Sequence, residues 1–327
     1  MSAYDRQATE LDSNQDYDCT FTIFIPTYNR AYTLDRALHS LENQSYTNFE
    51  VLIIDDGSKD NTRALIKNWQ QKAKFPIHYH WQENQGKHVA HNNALKVSKG
   101  YFFVTLDSDD MLAPEALTRL KTHWDAIPDA DKKYFAGVEG LCADLDGKVA
   151  GTCFPEPIMD SNYLEIRKKY QIRGDKKNAI RTSVLRQFPY PYFPGERHVR
   201  PSLISKRMAH EYKFRYINEV IQIIEYRADG LSANRFPLRM ANPKGFRLFF
   251  LEEITLHAAL TAKYTLYRNY SKYVRYSLHS SIGFSEQARE VKSRILWLIS
   301  MPKGTIGWVS DKIRMICKKV CRGHLMP

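Results

Sequence analysis

No apolar run in this chain approaches the ~18 residues that a membrane-spanning helix requires. The longest late candidate, ILWLISM from Ile295, stops far short. The opening stretch, MSAYDRQATELDSNQDYD, is polar and acidic, unlike a secretory signal. Cysteine is scarce and odd in number. Cys19, Cys142, Cys153, Cys317 and Cys321 are too scattered for a disulfide framework and read as reduced thiols. Cys317 and Cys321 would share a helix face, but no second ligand pair accompanies them, which argues against zinc. Three signatures are also missing. Without G-x-G-x-x-G, G-x-x-x-x-G-K-[ST] or G-x-S-x-G, dinucleotide oxidoreductases, P-loop enzymes and serine hydrolases lose their best support. No internal repeat or low-complexity tract occurs. These absences leave a cytosolic chain, or one that sits on a membrane without crossing it.

Negative charge is what the C-terminal part lacks. From Thr261 onward, thirteen Lys or Arg face only Glu286, Glu290 and Asp311, so ten of the twelve net positive charges lie there. The first 260 residues are close to neutral, which argues against a nucleic-acid binder with distributed basic and stacking residues. The remaining composition is ordinary: 327 residues, 43% hydrophobic and 26% charged, enough for one large core or two modest ones.

What is present is an alternation. FTIFIP (Phe21 to Pro26) reads as a buried strand, aromatic and β-branched. A helical stripe of Leu34, Ala37, Leu38 and Leu41 follows, stopping near Asn43. Phe49 to Ile54 is a second strand, and Ala64, Leu65 and Trp69 mark a second helix. Pro76 to Trp81 is a third, shorter strand. Ala90, Ala94 and Leu95 line a helix after a glycine turn, and YFFVTL is the fourth strand. Four strand–helix alternations within ~90 residues argue a parallel α/β sheet, whose ligands bind beyond the carboxyl ends of its strands. Further on, Pro114 opens a helix (Glu115 to Trp124). Short strands are expected around Val138 and Val149, a charged, proline-rich section runs from Tyr163 to Pro201, and Ile217 to Tyr226 is another strand. From about Phe246 the chain turns helical, basic and tyrosine-rich.

Polar residues gather where the strands end: Thr27 and Asn29, Asp55 and Asp56, then Asp107 and Asp109. VTLDSDDML places three aspartates in four positions at a strand tip. Carboxylates held this close resist ionising unless a cation or proton sits between them. Mg²⁺ and Mn²⁺ take oxygen ligands, often one or two carboxylates plus a substrate diphosphate. The plainer alternative is a solvated turn with Asp110 capping the next helix. Asp56 on its turn suits a base or ribose, or an Asx turn with Gly57 at positive φ. Lys87, after Gly86 at a helix start, suits a phosphate or is a surface lysine. His88 and His91 lack a third metal ligand, and RGD at Arg173 to Asp175 is a loop tripeptide.

FTIFIPTYNR, VLIIDDGSKDNT, ENQGKHVAHNNAL and VTLDSDD, in this order and spacing, resemble the nucleotide-sugar half of a family 2 glycosyltransferase, bacterial polysaccharide-type. The resemblance is strong over Phe21 to about Trp124, weaker to about Tyr226, and absent for the tail. It implies the GT-A fold, a Rossmann-like, mostly parallel sheet with a helical C-terminal extension. Residues 1–19 would be a polar tail and 20–235 the catalytic domain, with 20–125 binding the nucleotide-sugar and 126–235 on the acceptor side. Residues 236–327 would be the basic helical region. The family implies inverting transfer from a nucleotide diphosphate sugar, UDP being usual, to a saccharide or lipid-linked acceptor in surface or capsular polysaccharide synthesis.

Carried over by position, Pro26, Thr27, Tyr28 and Asp56 would contact uracil and ribose, and Lys87 would lie near base or phosphate. Asp107 would touch ribose or metal, and Asp109 would hold the divalent cation, Mn²⁺ or Mg²⁺. The family's base stands in a Glu-Asp pair before a helix. Here FPGERHVRPSLISKRM offers Glu196, with Arg197 where an aspartate is expected and Pro201 where relatives often carry another carboxylate. Glu196 is the expected base, with Asp175 and Glu211 as fallbacks. A chain without a usable base would be a degenerate GT-A domain that binds nucleotide-sugar inside a biosynthetic complex. A nucleotidyltransferase would need a glycine-rich, basic first loop, which PTYNRAYT does not supply.

Tyr264, Tyr267, Tyr270, Tyr273 and Tyr276 recur at helical spacing beside Lys and Arg. They are compatible with interfacial helices on an anionic membrane, which would make the enzyme cytoplasmic and peripheral on the inner face of the cell membrane. The alternative is a helical bundle packed on the catalytic domain or forming a homo-oligomer.

Overall fold

A computed structural model describes residues 17–225 and 235–323, with side chains to residue 317. The expected polar tail through residue 16, the strand end at Tyr226 and the Cys321 side chain lie outside the described residues. The chain divides into two compact units. One runs through Tyr190 and resumes at Pro201; the other takes Pro191–Arg200 together with the C-terminal helices.

In the first unit, β1 (Cys19–Thr27), β2 (Phe49–Asp55), β3 (Ile77–Trp81) and β4 (Gly100–Thr105) form the parallel half of one sheet. Between them run α1 (Ala31–Glu42), α2 (Thr62–Lys72) and α3 (Lys87–Val97). The expected stripe of α1 is the buried one: Leu34, Ala37, Leu38 and Leu41 are at most 1% exposed. Burying a leucine side chain contributes roughly 1.5–3 kcal/mol, so this stripe is what fixes α1 against the sheet.

The second half of the sheet is mixed. After β5 (Met111–Leu112) and α4 (Ala116–Asp125) come β6 (Phe135–Ala143), β7 (Ile158–Ser161), β8 (Lys176–Arg181) and β9 (Lys213–Ile223). The order is β3-β2-β1-β4-β8-β6-β9-β5, with β7 also on β9. β8 runs antiparallel to both β4 and β6, and β9 runs parallel to β6. The parallel arrangement therefore ends where the strand–helix alternation ends. The section expected to be only charged and proline-rich contains β8, and Val149 supplies a single bridge to Ala143 rather than a strand.

In the second unit, α5 (Pro243–Thr255), α6 (Lys263–His279), α7 (Phe284–Glu290) and α8 (Arg294–Gly323) pack together. Here the tyrosine stripe is corrected. Tyr270, Tyr273 and Tyr276 are at most 2% exposed, and only Tyr264 stands well out, at 67%. Tyr276 stacks on Phe246 and Phe250, and the Tyr273 hydroxyl donates to Glu290. These rings form the bundle's interior, where aromatic bodies bury most area and their hydroxyls find partners. They are not the surface offered to a membrane. No helix among the described residues is long and apolar enough to cross one.

Candidate active site

The register aligns the strand ends. Thr27 pairs with Asp55 and Phe24 with Thr105, so the loops after β1, β2 and β4 open at one end of the sheet. Pairing is carried one residue past β2, where the Asp56 amide donates to the Thr27 carbonyl at 2.8 Å.

Asp55 and Asp56 divide the work of the DDGS turn. Asp55 is 1% exposed and accepts from the Ser58 amide (2.8 Å) and the Tyr79 hydroxyl (2.9 Å). It is the Asx-type brace of the turn, with Gly57 at φ +89°. Asp56 reaches across to the next loop, accepting from Gln82 Nε2 (2.8 Å), the Gln85 amide (2.9 Å) and the Gly86 amide (2.8 Å). This carboxylate thereby fixes the loop that launches α3 and sets Lys87 at its first position. Near the same turn, Thr27 Oγ1 is buried with no partner among the described residues, and Tyr28 is 44% exposed. Pro26 is the penultimate residue of β1.

Lys87 forms an ion pair with Asp107. A second cation was not foreseen: Lys177, from β8, donates its amine to the Thr105 carbonyl and lies close enough to act on Asp107. Burial raises the Asp107 carboxyl, but Lys87 and then Lys177 outweigh it and hold the pKa below the usual carboxylate range. Asp109 is shifted the opposite way, raised by burial first and by the Asp107 charge second. No other described residue donates to its carboxylate; only its backbone carbonyl is taken, by Arg36 Nη2 at 2.8 Å. Asp110 caps no helix. β5 follows it directly, and its carboxylate accepts from Gln222 Nε2 at 2.6 Å. Burial, and then Asp107, push Asp110 up to about 7.

Among the described residues no three His, Cys, Asp or Glu side chains converge on one point to enclose a metal. Asp107 and Asp109 make up a two-carboxylate half-site. That suits a hard divalent ion whose remaining ligands are diphosphate oxygens and water. The raised Asp109 supports the fit, because a cation there would relieve the repulsion that now disfavours its charge.

His88 and His91 sit on α3 as core residues, 3% and 8% exposed, with the His91 ring 5.0 Å from that of Tyr190. Burial first, and the Lys87 charge second, push His91 down to about 3. The unfolded chain, with a His pKa of ~6.5, therefore takes up a proton that the folded chain refuses. This contribution to stability is complete above pH ~6.5 and is lost as pH falls toward the folded value. Between pH 7 and 5 the loss from His91 is about 2 kcal/mol. Denaturant titrations of His91→Phe should show a shallower decline over that window; an unchanged slope would assign the acid sensitivity to other groups.

The expected base behaves differently from a free carboxylate. Glu196, 6% exposed, accepts from the backbone amides of Lys244 (2.7 Å) and Gly245 (2.9 Å), capping the start of α5. Burial is the larger influence and raises its pKa, against the lowering effect of those two amides. It belongs to the second unit, whereas the aspartates belong to the first. Of the fallbacks, Asp175 precedes β8, whose start adjoins the end of β4 through Lys177. Glu211 precedes β9, which runs parallel to β6 and so begins at the opposite end of the sheet. That position excludes Glu211 as a base for this crevice.

A family model for glycosyl transferase family 2 matches residues 22–136. Over 101 residues the chain is 36% identical to a GalNAc(5)-diNAcBac-PP-undecaprenol beta-1,3-glucosyltransferase of Campylobacter jejuni, covering 30% of this chain and 32% of that protein. The chain thus spans about a third of that relative's length. Among solved structures, S. aureus TarS 1–349 with UDP-GlcNAc superposes with a TM-score of 0.57 at 18% identity, over 86% of this chain and 79% of that one. A Pyrobaculum calidifontis mannosyltransferase with GDP-Man and Mn²⁺ gives 0.52 at 18% identity over 94% of each. The mixed sheet with its flanking helices has the fold of the GT-A glycosyltransferases, and a helical C-terminal region follows it.

Proposed function

We propose that this chain, whose residues 22–136 are a glycosyl transferase family 2 domain, transfers a sugar with inversion from a nucleotide diphosphate donor, UDP being the expected nucleotide. The acceptor is a saccharide or a lipid-linked saccharide, met at a membrane surface in surface polysaccharide synthesis. The undecaprenol-linked substrate named for the Campylobacter relative supports the lipid-linked option. The observation that carries the reading is the arrangement after β1, β2 and β4. A buried hydroxyl with no partner among the described residues, a carboxylate-braced loop and a lysine–aspartate pair open at one end of the sheet.

In this reading Pro26, Thr27, Tyr28 and Asp56 form the base and ribose end, and Lys87 meets the diphosphate. Asp107 and Asp109 would hold Mn²⁺ or Mg²⁺, which when bound offsets charge growing on the departing diphosphate. The protein's own contribution is placement. Asp56 holds the loop, the loop holds Lys87, and Lys87 with Lys177 keeps Asp107 ionised. The acceptor hydroxyl must lose its proton to a base within hydrogen-bond reach. Glu196 is assigned that role. A carboxylate has about four lone-pair sites, so two capping amides leave it capacity to accept a proton.

Glu196→Gln tests the role directly. A general base contributes about 10²–10⁴ in rate, so kcat should fall by that factor with donor KM unchanged. Loss of activity that merely follows the unfolded fraction would make Glu196 a cap alone. That outcome would favour the second reading, a GT-A domain that binds nucleotide-sugar without turning it over. The reading as a whole is tested by screening nucleotide-sugars for Mn²⁺-dependent release of nucleotide diphosphate. Binding without release from any donor or acceptor would support the second reading, and no binding would sink both.

A further inference from the structure

The long helix α8 packs one face on the bundle and leaves an apolar stripe exposed among the described residues. Inward, Trp297, Ser300 and Asp311 are at most 6% exposed. Gly304 lies so close to α6 that a Cβ there would stand 2.6 Å from that of Val274. Outward, Ile295, Leu298, Ile299, Ile306, Val309, Ile313 and Ile316 are 43–71% exposed. At 100° per residue these positions fall within about 60° of one line, a stripe some 30 Å long. Isolated exposed aliphatics need no explanation, but a row of this length, with Pro302 standing between Ile299 and Ile306, marks an interaction surface.

The charges along its edges say what kind. Lys303 and Arg314 flank one side by helical position, Arg294 and Lys312 the other, and all four are exposed. The one carboxylate on the described part of the helix, Asp311, is turned inward and is 2% exposed. It is paired with Arg275 and with His279 Nε2 at 2.9 Å. The outward half of α8 is therefore apolar along its centre, and the charged side chains along both margins are all basic.

We propose that α8 lies in the plane of an anionic membrane, its isoleucine stripe in the acyl boundary and its Lys and Arg margins among the headgroups. This deepens the placement at a membrane surface in the reading above, moving the contact from the tyrosines of α6 to α8, and is independent of the reaction. Interfacial helices bind through buried apolar area together with attraction to anionic lipid, and α8 presents both. A second copy of the chain fits the stripe less well. Pairing two such helices would set basic margins against each other, with no outward carboxylate on the described helix to answer them.

Flotation of the full chain with vesicles tests this without any donor or acceptor, so its failure and that of the transferase reading are distinguishable. The chain should float with vesicles containing anionic phosphatidylglycerol, and bind at least about tenfold more weakly to pure phosphatidylcholine. Raising salt to about 0.5 M should weaken the anionic binding by a similar factor. Ile306→Glu with Ile313→Glu should lower partitioning by at least about tenfold, with unchanged helix content and melting temperature. A milder pair, Ile306→Ser with Ile313→Ser, should lower it by a smaller factor. Undiminished flotation of both double variants would overturn the proposal. So would a chain that ignores vesicles and forms a dimer that these substitutions split.

Discussion

Asp109→Asn is expected to lower metal-dependent donor turnover by about a thousandfold without lowering the melting temperature. The two halves of this expectation come from the same observation. The Asp109 carboxylate receives no hydrogen bond from another described residue, and burial and the Asp107 charge disfavour its ionised form. Burial and Asp107 outweigh the attraction of Arg30 and Lys87, so removing the charge should not destabilise the folded state, and it relieves a like-charge contact. Function is another matter. A divalent ion at a departing diphosphate contributes several kcal/mol, and each 1.36 kcal/mol is about a factor of ten in rate. Release of nucleotide diphosphate with and without Mn²⁺, beside a thermal melt, measures both halves. Full metal-dependent turnover in the variant would remove the metal from Asp109; a destabilised variant would mean that the carboxylate has a structural partner.

Asp56→Ala should act in the opposite manner, through the fold. Its carboxylate holds the Gln82 side chain and the Gln85 and Gly86 amides, and it is 6% exposed. The buried Gly86 amide left unpaired costs about 1–3 kcal/mol and the part-buried Gln82 and Gln85 groups less, so the substitution should destabilise the unit by about 2–4 kcal/mol. It should also uncouple Lys87 from its position and weaken donor binding. Asp56→Asn, which keeps one acceptor oxygen, should fall between the two. Chemical denaturation gives the stability loss, and faster hydrogen exchange at Gln85 and Gly86 would locate it. Protection unchanged at those amides would show that the loop is held by other means.

The parts of the fold that could be read in advance were those with local signals. β1, β2 and β4 are apolar runs closed by turn residues, and each lies within two residues of its expected bounds at either end. The α1 stripe is visible because 3.6-residue periodicity is a property of neighbours in sequence. β8 was not legible. KKNAIR opens on two lysines, yet Lys177 is 9% exposed, its amine satisfied by a carbonyl of β4 seventy-two residues earlier. The same limit applies to the site. Asp107 and Asp109 announce themselves by position at a strand tip. The second lysine that lowers Asp107, the glutamine that holds Asp110 and the arginine at the Asp109 carbonyl arrive through tertiary packing from β8, β9 and α1. The tyrosines of α6 mislead for a related reason. Helical spacing identifies a face, but only the neighbouring helices decide whether that face meets protein or solvent.

The excursion of Pro191–Arg200 bears on how the chain comes off the ribosome. This segment leaves the first unit at Tyr190 and rejoins it at Pro201, and its Glu196 caps a helix that begins at Pro243. During synthesis the carboxylate waits for amides 48 and 49 residues downstream. The segment between the two stretches of the amino-terminal unit therefore has partners that do not yet exist when the sheet closes. Domains usually fold in order of emergence, as independent units. Here Glu196, in the segment 191–200, gains its capping partners only after the helices of its own unit begin to emerge. A nascent chain stalled before Pro243 should remain protease-sensitive at 191–200 and become resistant once α5 has emerged.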